Sequence, residues 1–267
     1  MSIFCCPKCK GALEKQNTVY RCENGHCYDR SGTGYVNLLP ARGGIHGDDI
    51  GMLRARREFL QAGFYSPLKK AITDAVSMLS LPENATVLDA GCGEGYYTEG
   101  LCQVLSSAEI YGVDVAKDAV KMCDKRHMRA DFAAASVYDL PIHSQSCDLV
   151  ISVFSPFAKE EFHRVLKGGG YLISVIPDAR HLWGLKRVLY DTPYENVVAP
   201  YEVEGFSFVA KTCVSFDIYL KNQGEIQSLY RMTPYYYRTA RNGNLDLEKW
   251  EDLHTEAAFQ ILVYQPK

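Results

Sequence analysis

The 267-residue sequence contains no long hydrophobic run. Its longest apolar stretches, Asp148-Leu-Val-Ile-Ser-Val-Phe154 and Tyr171-Leu-Ile-Ser-Val-Ile176, have the length of strands and fall far short of the ~20 residues a membrane helix requires. No membrane segment is predicted. There is no apolar stretch behind the first basic residues, where Cys5, Cys6, Lys8, Cys9 and Lys10 crowd together. No secretory signal is therefore expected, and the expected location is the cytoplasm. With 47% apolar and 23% charged residues, the chain also lacks the bias of disordered or fibrous sequences. It has no overall basic surplus: the net charge is −3. That sum hides an asymmetry, because residues 1–70 carry 11 Lys and Arg against 6 Asp and Glu, and the remainder carries 18 against 26. Phosphate contacts come mainly from Lys and Arg, so the N-terminal part is where a polyanion would be met.

Ten cysteines are present, and five of them, Cys5, Cys6, Cys9, Cys22 and Cys27, lie within the first 27 residues. In a cytosolic chain such a cluster points to metal ligation before disulfides. Cys6-Pro-Lys-Cys9 and Cys22-Glu-Asn-Gly-His26 form two knuckles with the spacing C-x2-C-x12-C-x3-H, close to that of structural zinc. Cys5 and Cys27 are adjacent alternatives, but Cys5 precedes the Pro-containing knuckle and Cys27 would lengthen the second one. The choice falls on Cys6, Cys9, Cys22 and His26. Four protein ligands leave no open position, so the single zinc ion is expected to be structural. About 30 residues cannot bury a sufficient core, and structural zinc supplies on the order of 10–16 kcal/mol in comparable peptides.

A zinc-binding domain is therefore expected over residues 1–40, with a core separate from that of the enzyme domain. A linker with an arginine-bearing helix is expected over 41–67, and the enzyme domain over 68–267. In the linker, 41–49 is rich in glycine and charge and lacks periodicity, which marks a loop. From Met52 to Leu60 the apolar residues follow a helical pattern, and Arg54, Arg56 and Arg57 fall largely on other faces. They are candidates for contact with the phosphates of a polyanion.

From residue 68 helical and strand patterns alternate, the signature of a doubly wound α/β domain with a parallel sheet. Helices are predicted over 68–79, 97–105, 117–124 and 159–166. Strands are predicted over 86–90, 110–113, 130–134, 149–154, 171–176, 208–216 and 259–264, with a turn at Gly168-Gly-Gly170. The chemistry concentrates after the 86–90 strand, in Val87-Leu-Asp-Ala-Gly-Cys-Gly-Glu-Gly-Tyr96. Gly91, Gly93 and Gly95 let the backbone pass close to a ligand at the carboxyl edge of the sheet. Asp89 precedes them, and Asp114 ends the next strand, where a carboxylate can accept from both ribose hydroxyls. The dinucleotide fingerprint G-x-G-x-x-G is missing, and Glu94 would set a negative charge beside a phosphate. A ligand without phosphate, such as S-adenosylmethionine, is the better electrostatic match.

The glycine loop resembles the first motif of class I methyltransferases, and Ala135-Ser136 with Asp139-Leu-Pro141 resembles the segment that holds adenine. Taken with the zinc knuckles, Gly34-Tyr-Val-Asn-Leu-Leu-Pro40, Ala55-Arg-Arg-Glu-Phe-Leu60, Gly63-Phe-Tyr-Ser-Pro-Leu68 and Arg180-His-Leu182, the chain resembles the 23S rRNA guanine-N1 methyltransferases of RlmA/RrmA type. The resemblance thins after about residue 200. It implies a Rossmann-like class I methyltransferase domain with a small N-terminal zinc ribbon, acting as a homodimer on N1 of a guanine in a hairpin loop of 23S ribosomal RNA. Carried over residue by residue, Cys6, Cys9, Cys22 and His26 match the zinc ligands, and Tyr65, Gly93, Glu94 and His181 match positions near the cofactor. The resulting cofactor set is Tyr65, Asp89, Gly91, Gly93, Glu94, Gly95, Asp114, Ser136 and His181.

The loop Phe154-Ser-Pro-Phe157 only loosely resembles the Asn/Asp-Pro-Pro-aromatic motif of amino-group methyltransferases, so no exocyclic-amine chemistry is read from it. Methylation at N1 requires a proton to leave. Asp178, after the 171–176 strand, is the candidate base, and Tyr35, Phe64 and Phe157 are candidates for stacking on a base. Two other readings are a small-molecule methyltransferase with a stabilising zinc ribbon and a non-catalytic RNA-binding assembly protein.

Overall fold

The structure, a computed structural model, describes residues 2–32, 34–40, 47–124, 126, 128–238, 247 and 249–267. Three short strands, β1 (Glu14–Gln16), β2 (Val19–Arg21) and β3 (Cys27–Asp29), make a small antiparallel sheet. There follow β4 (Val36–Asn37), α1 (Ile50–Gln61) and α2 (Ser66–Ser77). Residues 41–46, in the expected linker, lie outside the described residues. Asp49 starts α1, its Oδ1 accepting from the N–H groups of Gly51 and Met52 at 2.7 and 3.0 Å. A proline in the first turn of α2 fits there because that turn's N–H groups have no partner within the helix.

The body then alternates β5 (Thr86–Ala90), α3 (Tyr96–Val104), β6 (Glu109–Asp114), α4 (Lys117–Asp124), β7 (Asp131–Ala134), β8 (Cys147–Val153), α5 (Lys159–Val165) and β9 (Leu166–Pro177). It ends with α6 (Trp183–Leu189), β10 (Phe206–Leu220), α7 (Gln223–Arg231), α8 (Tyr235–Arg238) and β11 (Leu253–Pro266). One eight-stranded sheet runs β10-β11-β9-β8-β5-β6-β7-β4. Strands β4 to β9 pair in parallel, and β11 pairs antiparallel with both β9 and β10. The inner strands are apolar because helices and loops cover both faces. The order reverses at β5, which is where open α/β sheets leave a crevice at their carboxyl ends.

Most of the predicted elements recur with ends moved by a residue or two, but three features differ. The Gly168–Gly170 stretch is no separate turn: β9 begins at Leu166, and the glycines form an irregularity between the Cys147↔Leu166 and Leu149↔Tyr171 pairs. The late strands extend to 15 and 14 residues as a long antiparallel pair, joined through α7 and α8, whose outer strand, β10, is largely exposed. Helices α6, α7 and α8 and strands β1 to β4 were not anticipated.

The expected separation of cores does not occur. Phe4 pairs with Ile142, the Cys5 N–H donates to the Pro141 carbonyl at 2.8 Å, and the Phe4 ring stands edge-on to Tyr20 and Tyr111 at 6.0 and 5.4 Å. Ile3, Phe4, Leu13, Tyr20 and Val36 share one buried cluster with Leu88, Val113, Ile142 and Val150 of the body. The physical reason is the one that calls for zinc: a segment this small has too few apolar side chains to bury one another, so it covers a face of the large sheet as well. Among the described residues, no helix is long and apolar enough to cross a membrane.

Candidate metal centre and cofactor site

The two knuckles converge. Lys10, with φ of 59°, and Gly25, with φ of 78°, turn the backbone just after Cys9 and just before His26. The Lys10 N–H donates to the Cys6 carbonyl at 2.7 Å, and the Gly25 N–H to the Cys22 carbonyl at 2.9 Å. One donor atom each from Cys6, Cys9, Cys22 and His26 lies within 4.8 Å of the others. Nδ1 of His26 is 3.5 Å from the Cys6 sulfur and 3.4 Å from that of Cys22, and the Cys9 and Cys22 sulfurs are 3.7 Å apart. A tetrahedron with arms of about 2.3 Å has edges of about 3.7 Å, so the donor set fits zinc in both chemistry and size. The Asn24 side chain and the Gly11 backbone hold the Cys9 thiol down at about 7, favouring the thiolate that a metal needs. Tyr28 Oη lies 3.1 Å from the Cys6 sulfur and can donate to it. Cys5 is buried beside the body, and Cys27 is exposed with its sulfur 3.7 Å from the Gly25 carbonyl.

At the carboxyl end of β5 the backbone enters the left-handed region at Gly91 (86°), Gly93 (55°) and Gly95 (84°), the last being the N-cap of α3. At Gly91 a Cβ would also lie 2.2 Å from Ser155 Oγ, on the loop after β8, so glycine is required twice over. The Asp114 carboxylate accepts from the Gly93 N–H at 2.9 Å and, through its other oxygen, from Ala116 at 2.8 Å. It thereby fixes the tip of the glycine loop, with burial pushing its pKa up. Asp89 is buried and accepts from the Thr98 hydroxyl at 2.6 Å. Burial raises it to about 7, the Asp114 charge adding to the shift and the Thr98 bond opposing it. Ser136 sits just beyond β7, where the Ala135 N–H donates to the Asp114 carbonyl, and its hydroxyl accepts from the Tyr138 N–H. Tyr65 and His181, 116 positions apart, meet at 3.5 Å beside Phe259. The glycine cradle and its acidic neighbours suit a phosphate-free nucleoside ligand.

Two family models match the chain: "RlmA, N-terminal" over residues 4–43 and "Methyltransferase domain" over residues 87–170. YxjB of Bacillus subtilis (strain 168), assigned as a 23S rRNA (guanine-N(1)-)-methyltransferase, is 34% identical across 87% of this chain and 86% of its own length. The chain belongs to this methyltransferase family. The 23S rRNA (guanine(748)-N(1))-methyltransferase of Streptomyces fradiae is 33% identical across 66% of this chain and 64% of its own length. Among solved structures, phosphoethanolamine N-methyltransferase 2 of Haemonchus contortus aligns with a TM-score of 0.49 at 15% identity, covering 80% of this chain and 57% of that one.

As a member of the family, the chain is an S-adenosylmethionine-dependent enzyme with a structural zinc ion. Several residues take places that sequence reasoning did not foresee. Glu94 is 1% exposed, and both its oxygens face Arg126, whose Nη2 lies 2.8 and 2.7 Å away and whose Nε donates to the Glu94 carbonyl at 3.0 Å. The carboxylate thus anchors the loop and is turned toward Arg126. Burial pushes its pKa up, and the Arg126 guanidinium works against that. Arg126 also reaches Glu99 at 3.2 Å, and Lys69 bonds Glu99 at 2.5 Å. Arg126 and Thr98 carried no sequence signal beyond residue type. Only the need of a buried loop carboxylate for a cation pointed to the former.

The three arginines of α1 do not form one surface. Arg54 is exposed, whereas Arg57 approaches Glu94 at 4.0 Å and Arg56 pairs with Asp48 at 2.5 Å beside the glycine loop. Asp178 lies at the end of β9, its Oδ1 accepting from the Ala179 N–H and from Gln260 Nε2 at 2.7 and 2.8 Å. Phe64 stacks on Phe59, and Phe157 packs edge-on against Phe162, Phe206 and Tyr264, so both serve packing in this structure. Tyr35 is half-buried against a small cluster that includes Phe132.

Proposed function

We propose that this protein transfers a methyl group from S-adenosylmethionine to N1 of a guanine in a hairpin loop of 23S ribosomal RNA, acting in the cytoplasm as a homodimer. The observation that carries the reading is the 34% identity, across 87% of the chain, to YxjB, which is assigned as a 23S rRNA (guanine-N(1)-)-methyltransferase. That span takes in more than a methyl-transfer fold: the ribbon packs on the body that holds the glycine cradle, joined by Phe4 and by the exposed Lys10–Asp139 ion pair. A small-molecule enzyme has no evident use for such a basic appendage.

Zinc would be held by Cys6, Cys9, Cys22 and His26, where it fixes the ribbon. The cofactor would lie against Tyr65, Asp89, Gly91, Gly93, Gly95, Asp114, Ser136 and His181, with Glu94 securing the loop from behind. When bound, S-adenosylmethionine supplies an electrophilic methyl carbon. The chain's part is to align the acceptor nitrogen with that carbon and keep water out. Asp178, oriented by Ala179 and Gln260, is the proposed acceptor for the N1 proton. Arg54 is the proposed phosphate contact from α1.

The test is incorporation of labelled methyl groups into protein-free 23S rRNA compared with a metabolite extract, followed by mass-spectrometric mapping of RNA from a knockout and its parent. A missing N1-methylguanine in the knockout supports the reading. Labelling of a metabolite with none in RNA overturns it.

A further inference from the structure

A methionine-type ligand needs a partner for its carboxylate, yet, with Glu94 turned to Arg126, the charged groups expected around it are the acids Asp89 and Asp114. These suit the ammonium, the sulfonium and the ribose hydroxyls, and would repel a carboxylate. Arg126 is committed to Glu94 and Glu99, and Arg57 faces Glu94.

Arg56 differs from both. It extends from α1 over the open face of Gly93, where its Nη1 is the nearest heavy atom, 3.9 Å from the place a Cβ would occupy. Its one ion pair among the described residues, to Asp48, uses Nη1 and is itself part-exposed, with side chains 27% and 34% accessible. The rest of the guanidinium fork has no partner among the described residues. Close by is a second unfinished group. Tyr97, in the first turn of α3, has a buried hydroxyl without a hydrogen-bond partner among the described residues. Its ring packs edge-on against Phe154 at 6.3 Å, and Phe154 lies against Phe259, the ring that also meets Tyr65 and His181, so Tyr97 borders the same site and feels the Arg56 charge. A buried hydroxyl left unpaired costs free energy that a ligand can relieve.

We propose that Arg56 and Tyr97 form the carboxylate-binding end of the cofactor pocket, receiving the amino-acid tail of S-adenosylmethionine. Arg56 is then a cofactor residue rather than an RNA contact. Its planar fork matches a carboxylate with two parallel N–H donors, and the Tyr97 hydroxyl supplies a third. The inference rests on the cofactor and not on the acceptor, so it stands or falls separately from the assignment of 23S rRNA.

Calorimetry on the purified full-length protein tests it with two ligands. S-adenosylhomocysteine carries the amino-acid tail, and 5′-methylthioadenosine lacks it. Arg56→Gln is expected to weaken S-adenosylhomocysteine by roughly 10- to 100-fold, the worth of a hydrogen-bonded charge pair, and to leave 5′-methylthioadenosine unchanged. Tyr97→Phe is expected to do the same by several-fold. Arg54→Gln, on the exposed side of α1, should alter neither. An equal loss for both ligands would mean a distorted loop and would overturn the proposal, as would an unchanged S-adenosylhomocysteine affinity. If Arg56→Gln does not fold, Arg56→Lys and Tyr97→Phe decide by the same comparison of ligands.

Discussion

The hydroxyl oxygen of Tyr65 lies 3.5 Å from Nε2 of His181, and the opposite ring nitrogen, Nδ1, accepts the Ala258 N–H at 3.3 Å. A nitrogen that accepts from a backbone amide carries no proton, so the neutral ring holds its hydrogen on Nε2 and points it at Tyr65. The two side chains thereby tie the start of α2 to the loop after β9.

The His181 ring should stay neutral throughout the physiological range. Burial first, and the Lys186 charge second, lower its pKa from 6.5 to about 3. Between those values the unfolded chain binds a proton that the folded chain does not, so stability rises with pH in that window. The stabilisation from the neutral ring is complete above about 6.5 and is lost as pH falls toward 3. Ring resonances that do not titrate between pH 5 and 8 would agree. His181→Gln should reduce the slope of stability against pH between 4 and 6 by about one proton, or ~1.4 kcal/mol per pH unit. A ring that titrates near 6.5 would refute the buried placement.

Cys9→Ser should release zinc and destabilise the whole chain. Phe4, Leu13 and Tyr20 lie in the same buried cluster as Leu88, Ile142 and Val150, so loosening the ribbon uncovers a face of the main sheet. A single unfolding transition at lower temperature is expected, together with loss of metal in a colorimetric zinc assay. Two resolved transitions, the upper one at the wild-type temperature, would mean that the ribbon unfolds alone.

Arg126→Met should be among the most damaging single substitutions in the body. It leaves the Glu94 carboxylate, 1% exposed, without its main partner, and breaking a buried pair from one side costs about 3–5 kcal/mol. Replacing both residues, as Glu94→Met with Arg126→Met, should recover most of that loss, because no charge is then stranded. Urea unfolding of the two singles and the double closes the cycle. A loss below about 1 kcal/mol for Arg126→Met alone would show that the pair contributes little.

How far the sequence disclosed this architecture follows from the range of the interactions concerned. Cys6, Cys9, Cys22 and His26 were legible because each knuckle closes within five residues, and so was the Gly91–Gly93–Gly95 cradle, where backbone conformation limits the residue type. The strand 86–90 was legible to the residue because a strand buried on both faces is a compact apolar run. The anchoring of Glu94 by Arg126 was not, since 32 positions separate them and nothing local marks which arginine answers a buried acid. The shared core was hidden for a related reason: Phe4 against Tyr111 is a contact between surfaces that depends on how the ribbon docks. Periodicity placed Arg56 on a polar face of its helix but could not say that this face meets the glycine loop.

That last distinction leads to a prediction about RNA. The basic surplus of residues 1–70 is real, but its members are not equally free. Arg56 and Arg57 are turned toward the glycine loop, while Lys10 and Lys15 are paired with Asp139 and Asp131. Lys8, Arg21 and Arg54 are exposed and take part in no ion pair among the described residues. Each phosphate contact made by such a group releases counterions and adds about 0.7–0.9 to the slope of log affinity against log salt. Replacing Lys8, Arg21 and Arg54 together by alanine should therefore weaken binding to a 23S rRNA hairpin and lower that slope by about two, with S-adenosylhomocysteine affinity unchanged. Arg56→Gln should show the converse, a weaker cofactor and a nearly unaltered salt slope. If the triple variant bound RNA with the wild-type slope, the free cations of the ribbon and α1 would be ordinary solvated charge, and the RNA surface would have to lie on the body of the enzyme.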